Sequence, residues 1–294
     1  MDETTPGPWL GMEVALTADR HEAVCALLEA AGALSLATVD AGDRPVLEPA
    51  PGSTPLWPTV RVTALFAGDY DPRPLRALLA AAGVEVLTCS PVEDQDWVRA
   101  GQDVQPRYFG GGLWVSPGES PDPAPDAVVV RLDAGLGFGT GAHPTTALCL
   151  QWLAGHPPRD AVVIDWGCGS GILALAAARL GARQVWALDI DPQALTATRD
   201  NARRNDVADR LVVSAPDALP ASVSADVLLA NILAPVLVEL APRLLAALRP
   251  GGALLLSGLL EHQVPEVVRA FEREVRFDPP VIGQGWACLA GTKT

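Results

Sequence analysis

The sequence predicts an α/β protein: a doubly wound parallel sheet with helices on both faces, preceded by a smaller α+β domain of the ferredoxin-like kind. Three observations predict it. From residue 128 onward, strand-like and helix-like segments alternate, a pattern that builds a parallel sheet. The run "AVVIDWG" (161–167) is continuously apolar, as a strand buried on both faces should be, and it ends in a glycine cluster. The first ninety residues read strand, helix, strand, strand, helix, strand, the order of a ferredoxin-like sandwich.

In the first part, "WLGMEVALT" (9–17) and "ALSLATVD" (33–40) alternate like strands around a helical stretch from Asp19 to Ala31, where Val24, Leu27, Leu28 and Ala31 share a face. "PTVRVTALFA" (58–67) and "VEVLTCSPV" (84–92) then bracket "DPRPLRALLAAAG" (71–83), a helix opened by an aspartate cap and early prolines and closed by Gly83. Residues 93–127 are rich in Gly and Pro and read as a linker with one short strand, "GGLWVSP" (111–117). Trp97, Tyr108, Phe109 and Trp114 are too many aromatics for a free tether, so this linker is expected to pack partly against a domain. In the last part, strand "AVVIDWG" is followed by helix "ILALAAARLGA", strand "QVWALDID" and helix "PQALTATRDNARRN". Strands "RLVVSAPD" and "ADVLLANI", helix "PVLVELAPRLLAALRPGG", strand "ALLLSGLL", helix "VPEVVRAFERE" and a final strand near "GWACLAGT" complete it. The expected domains are therefore 1–92, a linker 93–127, and 128–294, with ligands bound at the carboxyl ends of the parallel strands.

The totals agree with a two-domain globular protein. The chain has 294 residues, 49% apolar and 19% charged, well away from disordered compositions. Its longest apolar run, "GGALLLSGLL", is broken by Ser257 and Gly258 and stopped by Glu261, so nothing approaches the roughly 20 residues of a membrane span. "MDETTPGPWL" has neither a basic leader nor an apolar core and does not read as a signal peptide. The five cysteines are scattered without a CxxC pair, and the four histidines show no metal-ligand spacing. Disulfides and metal are not expected, and the chain reads as cytoplasmic and monomeric. A net charge of −14 argues against gripping phosphate backbones. It favours a cationic partner, though many acidic proteins are merely soluble. Lys293 is the only lysine. Codon bias explains this, or an enzyme that modifies lysine avoids modifying itself.

The chemistry is concentrated after the first strand of the large domain. Asp165, Gly167, Gly169 and Gly171 form D-x-G-x-G-x-G, glycines at alternate positions that let backbone approach a ligand closely. The pattern is not the G-x-G-x-x-G dinucleotide fingerprint. Asp189, at the end of the next strand, is placed for the two hydroxyls of a ribose. Asp217, in the loop after the third strand, is placed either for an adenine amine or for a helix cap. An adenosine without a pyrophosphate indicates S-adenosyl-L-methionine, and these three features in register resemble class I methyltransferases over residues 160–260.

In such enzymes the segment before this strand closes over the methionine end of the cofactor. Here it is "GFGTGAHPTT" (137–146). Phe138 and Gly139 are expected to touch the cofactor with it, and Thr145 and Thr146 offer hydroxyls at the start of a helix that can hold a carboxylate or simply cap itself. His143 has two readings, a catalytic base or a loop histidine satisfied by backbone. "LGFGTGAHPTTALCLQWL", "VIDWGCGSGILALAAARLGA", "LDIDPQALTATRDNARRN" and "DVLLANILAPVLVELAPRLLAALRPGGALLLSGLL" together resemble the ribosomal protein L-eleven methyltransferase family, over nearly all of residues 130–294. That resemblance implies a cofactor-contacting set of Thr146, Gly167, Asp189 and Asn231, and an N-terminal domain that recognises a large-subunit ribosomal protein. It also implies a flexible linker that presents different lysine and N-terminal amines to one site. Ala134 stands where the family usually has proline, and Gly137 where alanine is usual.

Asn231 ends the fourth strand, where amine methyltransferases carry the Asn or Asp of an NPPY-type motif. Its side-chain carbonyl can accept an N–H from the acceptor amine and aim the lone pair. Ile232, Leu233 and Ala234 replace the prolines and tyrosine, which suits an aliphatic amine better than a flat base. With the acidic charge, this argues against a nucleic-acid substrate.

Overall fold

The computed structural model describes residues 9–42, 56–92, 106–118, 123–132, 141 and 143–294. By contacts the chain divides into two compact units, Met1–Asp96 and Trp97–Thr294.

The first unit is a four-stranded antiparallel sheet backed by two helices. Its elements are β1 (Trp9–Thr17), α1 (His21–Ala30), β2 (Ser35–Asp40), β3 (Thr59–Phe66), α2 (Arg73–Ala81) and β4 (Glu85–Val92), in sheet order β2-β3-β1-β4. Alternation in β3 buries Val60, Val62, Ala64 and Phe66 with Val24 and Leu28 of α1 and Leu75 and Leu79 of α2. The opening of α2 is built by Asp71, whose Oδ1 accepts the Arg73 N–H at 3.1 Å. The Arg73 side chain also donates to this carboxylate and holds its pKa down at about 2.

The second unit carries a three-stranded sheet, β5 (Arg107–Gly110), β6 (Leu113–Pro117) and β7 (Val128–Leu132). Where the sequence predicted one strand in a linker, there are thus two, paired as a hairpin, with β7 parallel to β6. Strand β5 was missed because four residues show no period. Next come α3 (Pro144–Gly155), β8 (Val162–Trp166), α4 (Ile172–Arg179), β9 (Gln184–Leu188), α5 (Pro192–Arg204), β10 (Leu211–Ser214), β11 (Ala225–Asn231), α6 (Ala234–Ala247), β12 (Leu248–Leu260), α7 (Val264–Phe271), β13 (Val275–Phe277), β14 (Val281–Gly283) and β15 (Trp286–Lys293). The large sheet has the order β10-β9-β8-β11-β12-β15-β13, with β14 on β15. Its first five strands are parallel and β15 runs antiparallel between β12 and β13. This is the expected doubly wound α/β architecture.

Two apolar layers cover this sheet. On one face Val163, Val185, Ala187 and Leu229 pack with α3, α4 and the small sheet; on the other, Ile164, Leu188, Leu228 and Leu254 pack with α6 and α7. Residues 172–178 of α4 are all buried, which explains why its sequence is apolar on every side. Helix α6 was expected to run to Gly252 but ends at Ala247. There the Lys293 ammonium donates to the carbonyls of Leu245 (2.7 Å) and Leu248 (3.0 Å), a favourable placement for a cation at a helix C-terminus. From β8 the chain winds outward through β9 and β10, then returns to β11 on the other side. The switch point is therefore the pair β8–β11, and a ligand crevice belongs at their carboxyl ends. No helix among the described residues is long and apolar enough to cross a membrane.

Candidate active site

The turn after β8 puts Gly167, Gly169 and Gly171 at φ of 79°, 54° and 83°, a region that suits glycine. It is tied to the neighbouring strand. The N–H groups of Gly167 and Cys168 both donate to the Leu188 carbonyl, at 2.8 and 3.0 Å. The Gly169 N–H donates to Asp189 Oδ2 at 2.9 Å, while Asp189 Oδ1 accepts from Asp191 N at 3.0 Å. A carboxylate offers about four acceptor positions, so two remain for a pair of vicinal hydroxyls. The turn's own carbonyls are held from α5: Thr198 Oγ1 donates to Gly169 O and Asn201 Nδ2 to Ser170 O, both at 3.0 Å. Sequence reasoning missed Thr198 and Asn201. Their signal was polar side chains on the buried face of an amphipathic helix.

Asp165 lies beneath this turn with 1% of its surface exposed. Its Oδ2 accepts the Ala174 N–H at 3.0 Å, and Oδ1 has no hydrogen-bond partner. Burial pushes the carboxyl up to about 7, the Ala174 hydrogen bond opposes this, and the charge of Asp189 adds to it. An unpartnered buried oxygen is costly. A cationic ligand group in the crevice would relieve it.

Across the switch point, Asn231 ends β11. The next residue, Ile232, is wedged between two glycines. A Cβ on Gly167 would lie 2.3 Å from Ile232 Cγ2, and one on Gly258, itself at φ 82°, would lie 2.5 Å from the Ile232 carbonyl oxygen. The Ile232 N–H donates to Ser257 O at 3.2 Å. Asn231 Nδ2 donates to Thr146 Oγ1 at 3.3 Å, so β11 meets the first turn of α3. That turn is capped by His143, whose Nδ1 accepts the Thr145 N–H at 3.4 Å and lies 2.7 Å from Thr145 Oγ1. Its ring stands edge-on to Trp286 at 4.8 Å, and burial lowers its pKa. Of the two readings of His143, this geometry favours the structural one. The cap is the histidine, not Thr145 or Thr146.

Thr146 thus meets Asn231, Gly169 is bonded to Asp189, Gly167 lies against Ile232, and the Thr145 carbonyl faces the Ser257 hydroxyl, so these residues gather near the carboxyl ends of the central strands. Phe138 and Gly139 lie outside the described residues. Asp217 makes no cap hydrogen bond. It pairs instead with Arg243 at 2.9 Å, and Arg243 lies over the Trp166 ring, 5.3 Å from its centroid. Its carboxylate is 91% exposed, and such pairs are weak, so a better partner can take it. One residue went unnoticed in the sequence. Ile190, directly after Asp189, is 87% exposed, an apolar side chain left in solvent at the strand tip. The signal was "DI" where a polar loop should begin. Among the described residues no His, Cys, Asp or Glu group could hold a metal.

The family model described as "Ribosomal protein L11 methyltransferase (PrmA)" matches residues 8–294. A ribosomal protein L11 methyltransferase of Pseudomonas putida (strain W619) is 46% identical over 291 residues, which cover 97% of this chain and 99% of that one. Its counterpart in Aeromonas hydrophila subsp. hydrophila is 45% identical over 289 residues, with the same coverage. Among solved structures, the crystal structure of a ribosomal protein L11 methylase from Lactobacillus delbrueckii subsp. bulgaricus superposes with a TM-score of 0.58. It is 32% identical and covers 64% of this chain and 98% of that chain.

Proposed function

Because this chain belongs to the ribosomal protein L11 methyltransferase (PrmA) family, we propose that it methylates lysine side-chain and N-terminal amines of ribosomal protein L11, using S-adenosyl-L-methionine. The cofactor, when bound, supplies an electrophilic methyl group on a positively charged sulfur. The residues present suit it. Asp189 has acceptor positions left for the ribose hydroxyls, and the side chain of Ile190 is free to flank an adenine. The glycine turn admits close backbone approach, and the unpartnered oxygen of Asp165 favours positive charge. The start of α3, at Thr145 and Thr146, suits a carboxylate through its backbone N–H groups. Phe138 and Gly139 complete the set by resemblance. Asp217 keeps Oδ2 open to an adenine amine while Oδ1 holds Arg243.

The remaining work is positioning. A lysine amine has a pKa near 10.4 and an α-amine near 8, and only the neutral form carries a free lone pair. Desolvation in the crevice, beside positive charge, disfavours the ammonium and releases its proton to water. Asn231 Oδ1 then accepts one N–H and directs the lone pair along the line of displacement. Residues 1–92 recognise the ribosomal protein, and of the segment 93–127 expected to link the two parts, the portion from Arg107 to Pro117 belongs to the small sheet of the second unit. The enzyme acts in the cytoplasm as a monomer.

The reading rests above all on Asn231, anchored at the switch point beside the glycine turn. Asn231→Ala is expected to lower kcat by about 10²-fold, the scale of a misplaced reacting group, while changing cofactor affinity far less. Steady-state kinetics and calorimetry check this, and a kcat within a few-fold of the parent contradicts the role. Incubation of the purified protein with S-adenosyl-L-methionine and separated ribosomal proteins, followed by intact-mass analysis, is expected to add methyl increments to L11.

A further inference from the structure

The Asn231 amide and the Thr146 hydroxyl meet across 85 residues of chain, and neither partner is free to drift. The His143 cap holds the turn that carries Thr146. Ser257, fully buried, braces both backbones. Its hydroxyl faces the carbonyl oxygens of Thr145 (3.4 Å) and Ala287 (3.0 Å), and its own carbonyl accepts the Ile232 N–H. The hydrogen bond therefore joins two surfaces that are already in place, and what it decides is the rotation of the amide.

That rotation matters chemically. An asparagine amide has two ends of nearly equal shape and opposite character, one a double donor and the other a double acceptor. With Nδ2 turned to Thr146, the free end is Oδ1, which accepts. After a half-turn the free end would be the NH2, which repels the hydrogens of an incoming amine and competes for its lone pair. In the arrangement observed, the amide nitrogen donates and the Thr146 oxygen accepts.

We infer that Thr146 is a positioning residue for methyl transfer, its hydroxyl oxygen selecting the amide orientation in which Asn231 offers Oδ1 to the acceptor amine. This rests on the role proposed for Asn231 and goes beyond it, since cofactor contact was all that was expected of Thr146. A residue that only held the cofactor would change its affinity. A residue that orients the amide changes turnover and loses its effect when the amide is gone.

The test is a double-mutant cycle on the full chain, with ribosomal protein L11 as acceptor and saturating cofactor. Thr146→Val keeps the side-chain shape and removes the hydroxyl. It is expected to lower kcat about five- to tenfold, the loss of one neutral hydrogen bond. Calorimetry should find cofactor affinity changed by less than about threefold, while Thr146→Ser restores kcat to within about twofold of the parent and so separates hydroxyl loss from misfolding. On the Asn231→Ala background, Thr146→Val should slow the enzyme by less than about twofold more. Equal effects on both backgrounds, or a kcat loss matched by lost cofactor affinity, overturn the inference. If Asn231→Ala is slow and Thr146→Val is not, only this inference fails. If Asn231→Ala itself stays near the parent rate, the proposed role of Asn231 fails with it.

Discussion

Asp165 is charged or neutral according to small changes near neutral pH, because burial has moved its carboxyl to about 7. The ordinary value is 3.8, so between about pH 4 and pH 7 the folded chain keeps a proton that the unfolded chain has released. Stability from this group is full below pH 4 and is lost as the pH rises through about 7. The gap is worth on the order of 4 kcal/mol at most. Asp165→Asn keeps an acceptor for the Ala174 N–H and cannot ionise. Urea midpoints measured from pH 4 to pH 8 should therefore show the variant gaining steadily on the parent, and a constant difference contradicts the assignment. At this scale the sequence was informative where a residue's own chemistry is the signal. Asp189, Gly167 and Asn231 announce themselves by charge, conformational freedom or an amide at a strand end. Ser257, Thr198 and Asn201 do not, because a hydroxyl or amide acquires its role only from what folding places opposite it. His143 shows the converse. Its type suggests catalysis, and its neighbours make it a cap.

Apolar packing holds the small sheet against the large one, and one polar side chain adds to that hold by imitating a strand. Asn205, just past α5, accepts the Arg131 N–H at 2.7 Å and donates to the Arg131 carbonyl at 2.6 Å. It thereby pairs with β7 as another peptide would. It also donates to Asn201 O at 2.7 Å, so β7 is secured to the same helix that holds the glycine turn. Asn205→Ala leaves these buried groups unmatched and is expected to cost about 2–4 kcal/mol, read as a drop in urea midpoint. Asn205→Asp lacks the donor and should not restore it. Long elements were legible because helix and strand periods need several residues to declare themselves. The edge strands β13 and β14 have three residues each, too few for a period, and only their pairing with β15 makes them strands. The overrun at α6 has the same origin, since "RPGG" carries its breakers after the helix has already ended at Ala247.

Each unit of the chain encloses apolar clusters of its own, one within residues 12–84 and two within 109–289. A fragment from residue 97 onward should therefore fold and bind S-adenosyl-L-methionine with nearly the parent affinity. If the first unit recognises the ribosomal protein, the fragment should methylate L11 at least about tenfold more slowly, the scale on which a lost docking contact is felt. Calorimetry and the mass assay check the two halves separately, and undiminished turnover contradicts the division of labour. The whole-molecule composition bears on such assays in one further way. The only lysine has its ammonium against the end of α6, 14% exposed. Methylation of Lys293, located by peptide mapping apart from any label on the enzyme's own N-terminal amine, thus requires that corner to unravel. Its appearance on warming would serve as a built-in reporter of local melting, read out in the same tube as the reaction.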